Sequence, residues 1–201
     1  MSYRVAVALS GRGSNLSALL GALGPGAPAQ VVLVLSNKAE AGGLATARAH
    51  GIPTAVLADP SDAAAWSAAL QAHRVDLVVL AGFLKRVPPA VVVEYRGRII
   101  NIHPALLPRH GGPGMYGERV HRAVLAAGDQ ESGATVHLVT EEYDEGARLA
   151  QARVPVLPGD TAERLAERVL AVEHRLLPEA VTRAARAGHP VPFTFGTENL
   201  P

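Results

Sequence analysis

Short apolar runs alternate with segments of helical composition along the first 80 residues. The apolar runs, which predict strands, lie at 4–9, 31–36, 54–57 and 76–80. The segments between them, which predict helices, lie at 15–23, 41–50 and 61–73. Strands that are apolar on both faces and alternate with helices indicate a parallel sheet covered on both sides. With right-handed crossovers, this pattern predicts an α/β fold with a Rossmann-like start.

The middle of the chain continues with one more unit and then a long loop. A short helix is expected from Pro88 or Pro89 to near Tyr95, and a strand at 98–102. Residues 104–117 contain four glycines and three prolines and predict a long loop, which in a compact domain is usually functional or mobile. A helix is expected at 118–127.

The C-terminal third has a different pattern. Segments 133–139 and 149–156 predict two strands around a turn at 144–146, and strands joined so closely should be antiparallel. Asp160, with Glu163, is expected to cap a long helix, and Pro178 to kink or break it. Asp59 or Ser61 is expected to cap the third helix. We therefore expect one mostly parallel sheet with an antiparallel strand pair, in a domain spanning 1–187, followed by a tail at 188–201.

Composition limits the classes of function. Nineteen basic and eighteen acidic residues leave a net charge of +1, and aromatic residues make up 4% of the chain. Neither value favours nucleic-acid binding. The chain has no cysteine, which excludes disulfides, thiolate metal sites and a cysteine nucleophile. No apolar run approaches the roughly 18 residues of a membrane span, and no signal peptide is evident. We expect a cytoplasmic protein that binds small molecules, not membranes.

A glycine-rich turn at residues 10–15 lies between the first strand and the first helix. Backbone N–H groups at such a turn can hold an anion, and the side chains of Ser14 and Asn15 can add hydrogen bonds. Leu16 stands where a dinucleotide-binding turn has its third glycine, and no Lys-Ser/Thr pair makes the turn a P-loop. The spacing alone leaves two interpretations equally open, a phosphate site and a merely tight turn.

Asn101 and His103 lie at the end of a predicted core strand, where ligands bind in open parallel sheets. Two residues apart, they point to the same side, and an amide donor beside an imidazole is a plausible oxyanion clamp. Asp144 lies in a turn that can return to the same edge. Its carboxylate is expected to raise the pKa of His103 and keep the ring protonated near neutrality. Singly, each residue fits a structural role; jointly they predict catalysis.

Other histidines allow a metal hypothesis. His137, on an alternating strand, can face the same site, and His121 begins a helix after the long loop. A zinc site from His103, His121 and His137 is conceivable, but no metal-ligand spacing supports it, so we predict none. The chain also lacks the G-x-S-x-G turn of serine hydrolases.

The run from Asn101 to Pro108, Asn-Ile-His-Pro-Ala-Leu-Leu-Pro, resembles the signature of the folate-dependent formyltransferases. Further segments are similar to the branch that formylates glycinamide ribonucleotide; they lie at 10–15, 133–137, 143–146 and 171–174. The resemblance spans about residues 4–181. It implies the formyltransferase fold and a reaction in which the amine of phosphoribosylglycinamide attacks the formyl carbon of 10-formyltetrahydrofolate, the co-substrate, without a metal.

The resemblance also implies roles for individual residues. Asn101 and a protonated His103 would hold the tetrahedral oxyanion, and Asp144 would set the charge of His103. The substrate phosphate would lie on Gly13, Ser14 and Asn15. The glycinamide end would contact Glu173, His174, Arg175 and Leu176. The folate would contact Leu84, Lys85, Arg86, Val87, Asn101, Thr140, Glu141, Glu142, Tyr143 and Asp144.

Alternatives remain open. A sugar-amine or methionyl-tRNA formyltransferase and a formyltetrahydrofolate hydrolase share the Asn-His-Pro signature. The tRNA enzymes carry an additional C-terminal domain and the hydrolases an N-terminal one, neither of which is expected here. A catalytically silent folate- or nucleotide-binding module is a third reading. The glycine-rich segment 110–117 is longer than in the commonest form of the family and can be a lid, a dimer contact or a specificity loop. The chain is expected to be a monomer or a homodimer.

Overall fold

The computed structural model describes residues 2–196, and within them seven strands form one sheet. The strands are β1 (Tyr3–Leu9), β2 (Ala29–Ser36), β3 (Thr54–Val56), β4 (Leu77–Leu80), β5 (Ile99–His103), β6 (Glu131–Leu138) and β7 (Arg148–Pro155). The helices are α1 (Ser14–Ala22), α2 (Gly42–Ala49), α3 (Ala63–Ala72), α4 (Pro89–Glu94), α5 (Glu118–Ala126) and α6 (Ala162–Ala187). Residues 104–117, expected as a loop, contain neither a helix nor a strand.

The sheet has the order β3-β2-β1-β4-β5-β6-β7. Strands β1 to β5 pair in parallel, whereas β6 is antiparallel to both β5 and β7. The predicted α/β class, with an antiparallel pair in the C-terminal part, is therefore confirmed. The strand order reverses beside β1, and ligands of open α/β sheets bind outside the carboxyl ends of strands at such a point.

Alternate residues of β1 enter two separate cores. Val5, Val7 and Leu9 belong to the core on the face covered by α1, α2, α5 and α6. Ala6 and Ala8 belong to the core on the other face, which α3 and α4 cover. Because both faces of the strand are buried, its sequence shows a continuous apolar run without polar alternation.

Helix α6 differs from its expected form in two places, at its N-cap and at Pro178. Thr161, not Asp160, is the N-cap, and its side chain accepts a hydrogen bond from the Arg164 N–H. The Asp160 carboxylate instead binds the Arg168 guanidinium through two hydrogen bonds, at 2.6 and 3.0 Å. The helix also continues past Pro178, so the expectation of a break there was wrong. Proline removes a single backbone bond, and buried apolar residues on both sides of Pro178 hold the helix to the sheet.

The cap of α3 was also assigned to the wrong residue. Asp62 accepts hydrogen bonds from the Ala64 and Ala65 N–H groups, at 3.0 and 3.1 Å. The expected caps, Asp59 and Ser61, hydrogen-bond to each other in the preceding turn.

Two further features concern the ends of the fold. After α6, the Phe193 N–H donates to the Leu149 carbonyl at 2.8 Å, so the first part of the tail lies along the free edge of β7. Residues 197–201 of the predicted tail lie outside the described residues. Among residues 2–196, no helix combines the length and apolar character needed to cross a membrane.

Two glycine-to-alanine substitutions should have opposite effects on stability. A Cβ at Gly133 would lie 1.9 Å from the Ala152 carbonyl oxygen, so Gly133→Ala must push β6 from β7. We expect a loss of about 1–3 kcal/mol or more in the free energy of unfolding. Gly21, on α1, has open space around its Cβ, and Gly21→Ala should gain up to about 1 kcal/mol. Urea unfolding measures both, and an unchanged stability for Gly133→Ala would contradict the close approach of the two strands.

Candidate active site

A cavity of about 760 Å³ lies at the carboxyl ends of β1, β4 and β5. It brings together all three predicted catalytic residues, every predicted folate contact, and Ser14, Asn15 and Glu173. Of the predicted site residues, Gly13, His174, Arg175 and Leu176 lie outside the lining formed by the described residues. A volume of this size is typical of small-molecule sites.

The glycine-rich turn lies at one end of the cavity. Gly13 has a left-handed backbone with φ 81°, and a Cβ there would lie 2.7 Å from the Gly43 Cα, so only glycine lets the turn approach α2 so closely. Ser14 and Asn15 begin α1, and the first N–H groups of a helix have no partner within it. With the positive end of the helix dipole, such groups can attract an anion.

Asn15 also connects this turn to α6. Its amide N–H donates to the Glu173 carboxyl at 2.8 Å, and both side chains are buried. Burial raises the pKa of Glu173 to about 7, although the hydrogen bond from Asn15 opposes the shift. Among the described residues the Asn15 Oδ1 atom has no hydrogen-bond partner. The pair therefore presents two buried polar groups to an incoming ligand.

The three residues after Glu173 are not part of the cavity lining that the described residues form. Leu176 is fully buried in the core, and the Arg175 guanidinium lies over the Phe195 ring, 5.8 Å from its centre. His174 is partly buried, and burial lowers its pKa. Neighbouring residues of a helix point in different directions, so a four-residue match to a helical motif places only part of it at a ligand.

Two strips of chain form the part of the cavity predicted to hold folate, residues 84–87 after β4 and 140–144 between β6 and β7. Arg86 joins them: its guanidinium donates to the Glu141 carbonyl and lies 5.6 Å from the centre of the Tyr143 ring. The first strip is also tied to the glycine-rich turn, since the Ser10 hydroxyl accepts from the Leu84 N–H at 2.9 Å. The walls of the cavity are thus connected to one another.

Pairing of β5 with β6 places Asn101 opposite His137. The His137 Nδ1 atom lies 2.9 Å from the Leu138 carbonyl, to which only an N–H can donate, so in the neutral ring Nε2 is an acceptor. The Asn101 amide Nδ2 lies 3.1 Å from this Nε2 and donates to it. The amide is thereby oriented, and its second N–H remains available for a ligand oxygen.

His103 is buried, with 3% of its surface exposed, and both ring nitrogens face defined partners. Nε2–H donates to the His110 carbonyl at 2.8 Å, and Nδ1 lies 3.6 Å from an Asp144 carboxylate oxygen. Burial lowers the pKa of His103, although Asp144 and the His110 carbonyl oppose the shift. The expectation that Asp144 raises this pKa above its ordinary value was therefore wrong, because the cost of burying the charged ring is larger. Burial thus favours the neutral form of the ring.

Asp144 completes the group from a turn with a left-handed backbone, φ 57°. Its carboxylate accepts a hydrogen bond from the Gly112 N–H at 2.9 Å and lies 3.4 Å from His137 Nε2. Burial alone would raise the pKa of Asp144, but His137, His103 and the Gly112 N–H together hold it below its ordinary value. The charged carboxylate is thus available next to His103.

His121 also lines the cavity but joins no hydrogen-bonded group there. It is buried, its Nδ1 atom has no partner among residues 2–196, and burial lowers its pKa. Within the described part of the chain, no group of three or more His, Asp or Glu side chains is arranged to hold a metal ion.

Three further residues contribute to this site besides the predicted catalytic residues. His137 was noted as able to face the site, and its alternating strand was the signal that found it. His110 and Gly112 contribute through the backbone, by a carbonyl and an N–H respectively. Every residue has these groups, so the sequence carries no signal for their use.

The chain resembles known proteins along most of its length. The formyl transferase family matches residues 3–181. The chloroplastic phosphoribosylglycinamide formyltransferase of Arabidopsis thaliana is 46% identical over 186 residues, which are 89% of this chain and 64% of that protein. The phosphoribosylglycinamide formyltransferase of Haemophilus influenzae is 39% identical over 87% of this chain and 84% of its own length. The chain thus spans less than two thirds of the plant relative.

Solved structures support the same relationship. The crystal structure of phosphoribosylglycinamide formyltransferase from Anaplasma phagocytophilum aligns with a TM-score of 0.88 and 40% identity, over all of this chain and 97% of that one. That from Brucella melitensis aligns with a TM-score of 0.83 and 48% identity, over 92% and 96% of the two chains. The chain therefore belongs to the formyl transferase family, among whose members it is similar to phosphoribosylglycinamide formyltransferases.

Proposed function

We propose that this protein transfers the formyl group of 10-formyltetrahydrofolate to the amine of phosphoribosylglycinamide. One observation carries the proposal: a single cavity joins an anion site at the start of α1, the group of Asn101, His103 and Asp144, and the two strips predicted to hold folate. A phosphorylated amine and a formyl donor entering from the two ends would meet at this group. The names of the relatives agree with this assignment.

The phosphate would bind the N–H groups of Ser14 and Asn15, where unpaired backbone donors and the positive end of the helix dipole favour an anion. Glu173 would then accept a hydrogen bond from the substrate's amine end. Its carboxyl is buried, so the N–H groups of a neutral amine arriving there would add hydrogen bonds to the one that Asn15 already donates. Binding of this end should therefore lower the pKa of Glu173 from about 7.

The reaction forms a bond between the amine nitrogen and the formyl carbon. The carbonyl oxygen becomes an oxyanion, to which the free N–H of Asn101 would donate. The bond from the formyl carbon to N10 of the folate then breaks. Overall, one proton leaves the amine and one is added to N10, so no metal and no covalent bond to the protein is needed.

The neutral ring of His103 suits this proton transfer. Because Nε2–H is held by the His110 carbonyl, the lone pair of Nδ1 is presented toward Asp144 and the cavity. Nδ1 would take up the amine proton, directly or through water, and the imidazolium formed beside Asp144 would deliver it to N10. His103 would thus gain its charge during the reaction instead of carrying it beforehand.

Hydrolysis of the same donor is the competing function, since water can take the place of the amine. The anion site favours transfer, because an attacking water molecule carries no phosphate that could bind there. The oriented amide of Asn101 also favours an enzyme over a silent binding module, because binding alone does not require a donor placed for an oxyanion.

The two functions differ in their dependence on the amine. Incubation with 10-formyltetrahydrofolate should release tetrahydrofolate only when phosphoribosylglycinamide is added, with matching formation of the formylated product. Release at the same rate without the amine would establish the hydrolase, and binding of folate without turnover would establish the silent module. Ser14→Asp, which adds a negative charge at the anion site, should raise the KM for phosphoribosylglycinamide and leave the KM for folate nearly unchanged.

Asp144→Asn tests the charge partner of His103. Asp144 raises the pKa of His103 against the larger effect of burial, so its removal should lower that pKa further. A base with a lower pKa stays neutral to lower pH, so the acid limb of kcat/KM should move to lower pH while kcat itself falls. A pH profile measured from 4.5 to 9 with an unmoved acid limb would refute this role for Asp144.

A further inference from the structure

Asp129 lies in the turn between α5 and β6, outside the lining of the cavity as the described residues form it. Its side chain is 9% exposed, and its two carboxylate oxygens bind consecutive residues of the long loop. One accepts from the His110 Nε2 atom at 2.7 Å, and the other accepts from the Arg109 guanidinium. These hydrogen bonds, that from His110 above all, hold the pKa of Asp129 below its ordinary value.

His110 is the residue whose carbonyl accepts from His103. It has a left-handed backbone with φ 56°, which is uncommon for a residue other than glycine. Such a conformation persists where its surroundings hold it. The side chain of His110 is 13% exposed and is held by Asp129, and its carbonyl oxygen lies 2.8 Å from His103 Nε2. One residue thus connects a carboxylate outside the cavity to the ring inside it.

We propose that Asp129 is a positioning residue: through His110 it holds the carbonyl that keeps His103 in the Nε2–H tautomer and directs Nδ1 toward Asp144. The effect on rate rests on the proposed function, whereas the effect on the tautomer does not. The tautomer decides the chemistry, because the other form would place the proton on Nδ1 and remove the lone pair that accepts from the substrate.

Arg109 has a smaller part in this arrangement. Its side chain is 65% exposed, and ion pairs in such positions contribute little because water and salt screen them. The mostly buried contact between Asp129 and His110 is the one that fixes the loop. Arg109→Gln should therefore leave the properties of His103 nearly unchanged, whereas Asp129→Asn should not.

Nuclear magnetic resonance of the full chain labelled with ¹⁵N-histidine tests the proposal without any substrate. The His103 signals are identified by their loss in His103→Gln. In the wild type, the ¹⁵N shifts at neutral pH should report the Nε2–H tautomer. In Asp129→Asn they should move toward a mixture of tautomers, and the pKa of His103 should fall, because the His110 carbonyl raises it. Asp129→Glu should restore most of the wild-type spectrum.

Asp160→Asn is the matched control. It also neutralises a mostly buried carboxylate that binds an arginine, and the hydrogen bonds of Asp160 are with Arg168 and the Leu157 N–H near the start of α6. Its general loss of stability should leave the His103 spectrum unchanged. His110→Gly is the second variant, since glycine accepts the left-handed backbone but has no side chain for Asp129 to hold. It should reproduce the spectrum of Asp129→Asn.

Steady-state kinetics gives the second readout. Asp129→Asn should lower kcat by about 10- to 100-fold, with KM values changed less than about threefold, because a small displacement of a catalytic group acts on the chemical step. Unchanged His103 shifts in both Asp129→Asn and His110→Gly would overturn the proposal. Altered shifts in a protein that transfers no formyl group would uphold the positioning role and refute the proposed function instead.

Discussion

The antiparallel register of β5 with β6 is the constraint on which the site depends. It sets Asn101 opposite His137 and His103 opposite Thr135. Thr135 then fixes the chain that leaves β5, because its hydroxyl donates to the Ala105 carbonyl at 2.6 Å and accepts from the Leu107 N–H at 3.1 Å. A shift of one residue would turn every one of these side chains to the opposite face of the sheet. The register therefore orients the Asn101 amide. It also fixes the start of the loop whose His110 carbonyl contacts His103.

Burial, more than charge, determines the resting state of this site. Burial disfavours the charged form of a base and of an acid alike. It therefore lowers the pKa of His103 and raises that of Glu173 to about 7. Burial therefore shifts both groups toward their neutral forms before substrate arrives, and Asp144 retains the charge. An incoming amine would add hydrogen bonds to Glu173 and supply a proton to His103. The free protein thus avoids buried unpaired charges that the bound complex can use.

Much of the fold follows from local sequence pattern. The continuous apolar runs predicted β1, β2 and β4 to within two residues, and the short connection between β6 and β7 predicted their antiparallel pairing. Errors arose where a side chain had a choice of partner. Asp160 satisfies every sequence rule for a helix cap, but Arg168 lies within its reach and Thr161 takes the capping position. Competition of this kind depends on distances that a linear pattern does not contain.

The site was predictable to a similar extent. Asn101, His103 and Asp144 were found because strand ends and turns indicate where polar side chains gather, and the structure brings them together. The sign of the His103 pKa shift was not predictable, because it depends on how completely the ring is buried. The His110 carbonyl and its anchor, Asp129, were also not predictable, because the first acts through the backbone and the second lies beyond the cavity.

In the proposed reaction, the oriented amide of Asn101 stabilises charge that develops only in the transition state. The most direct test is the separate measurement of kcat and KM for Asn101→Ala in formyl transfer to phosphoribosylglycinamide. We expect a fall in kcat of about 100- to 1,000-fold, with KM values nearly unchanged. A rise confined to KM would contradict this role, because it would mean that Asn101 only binds the ground state.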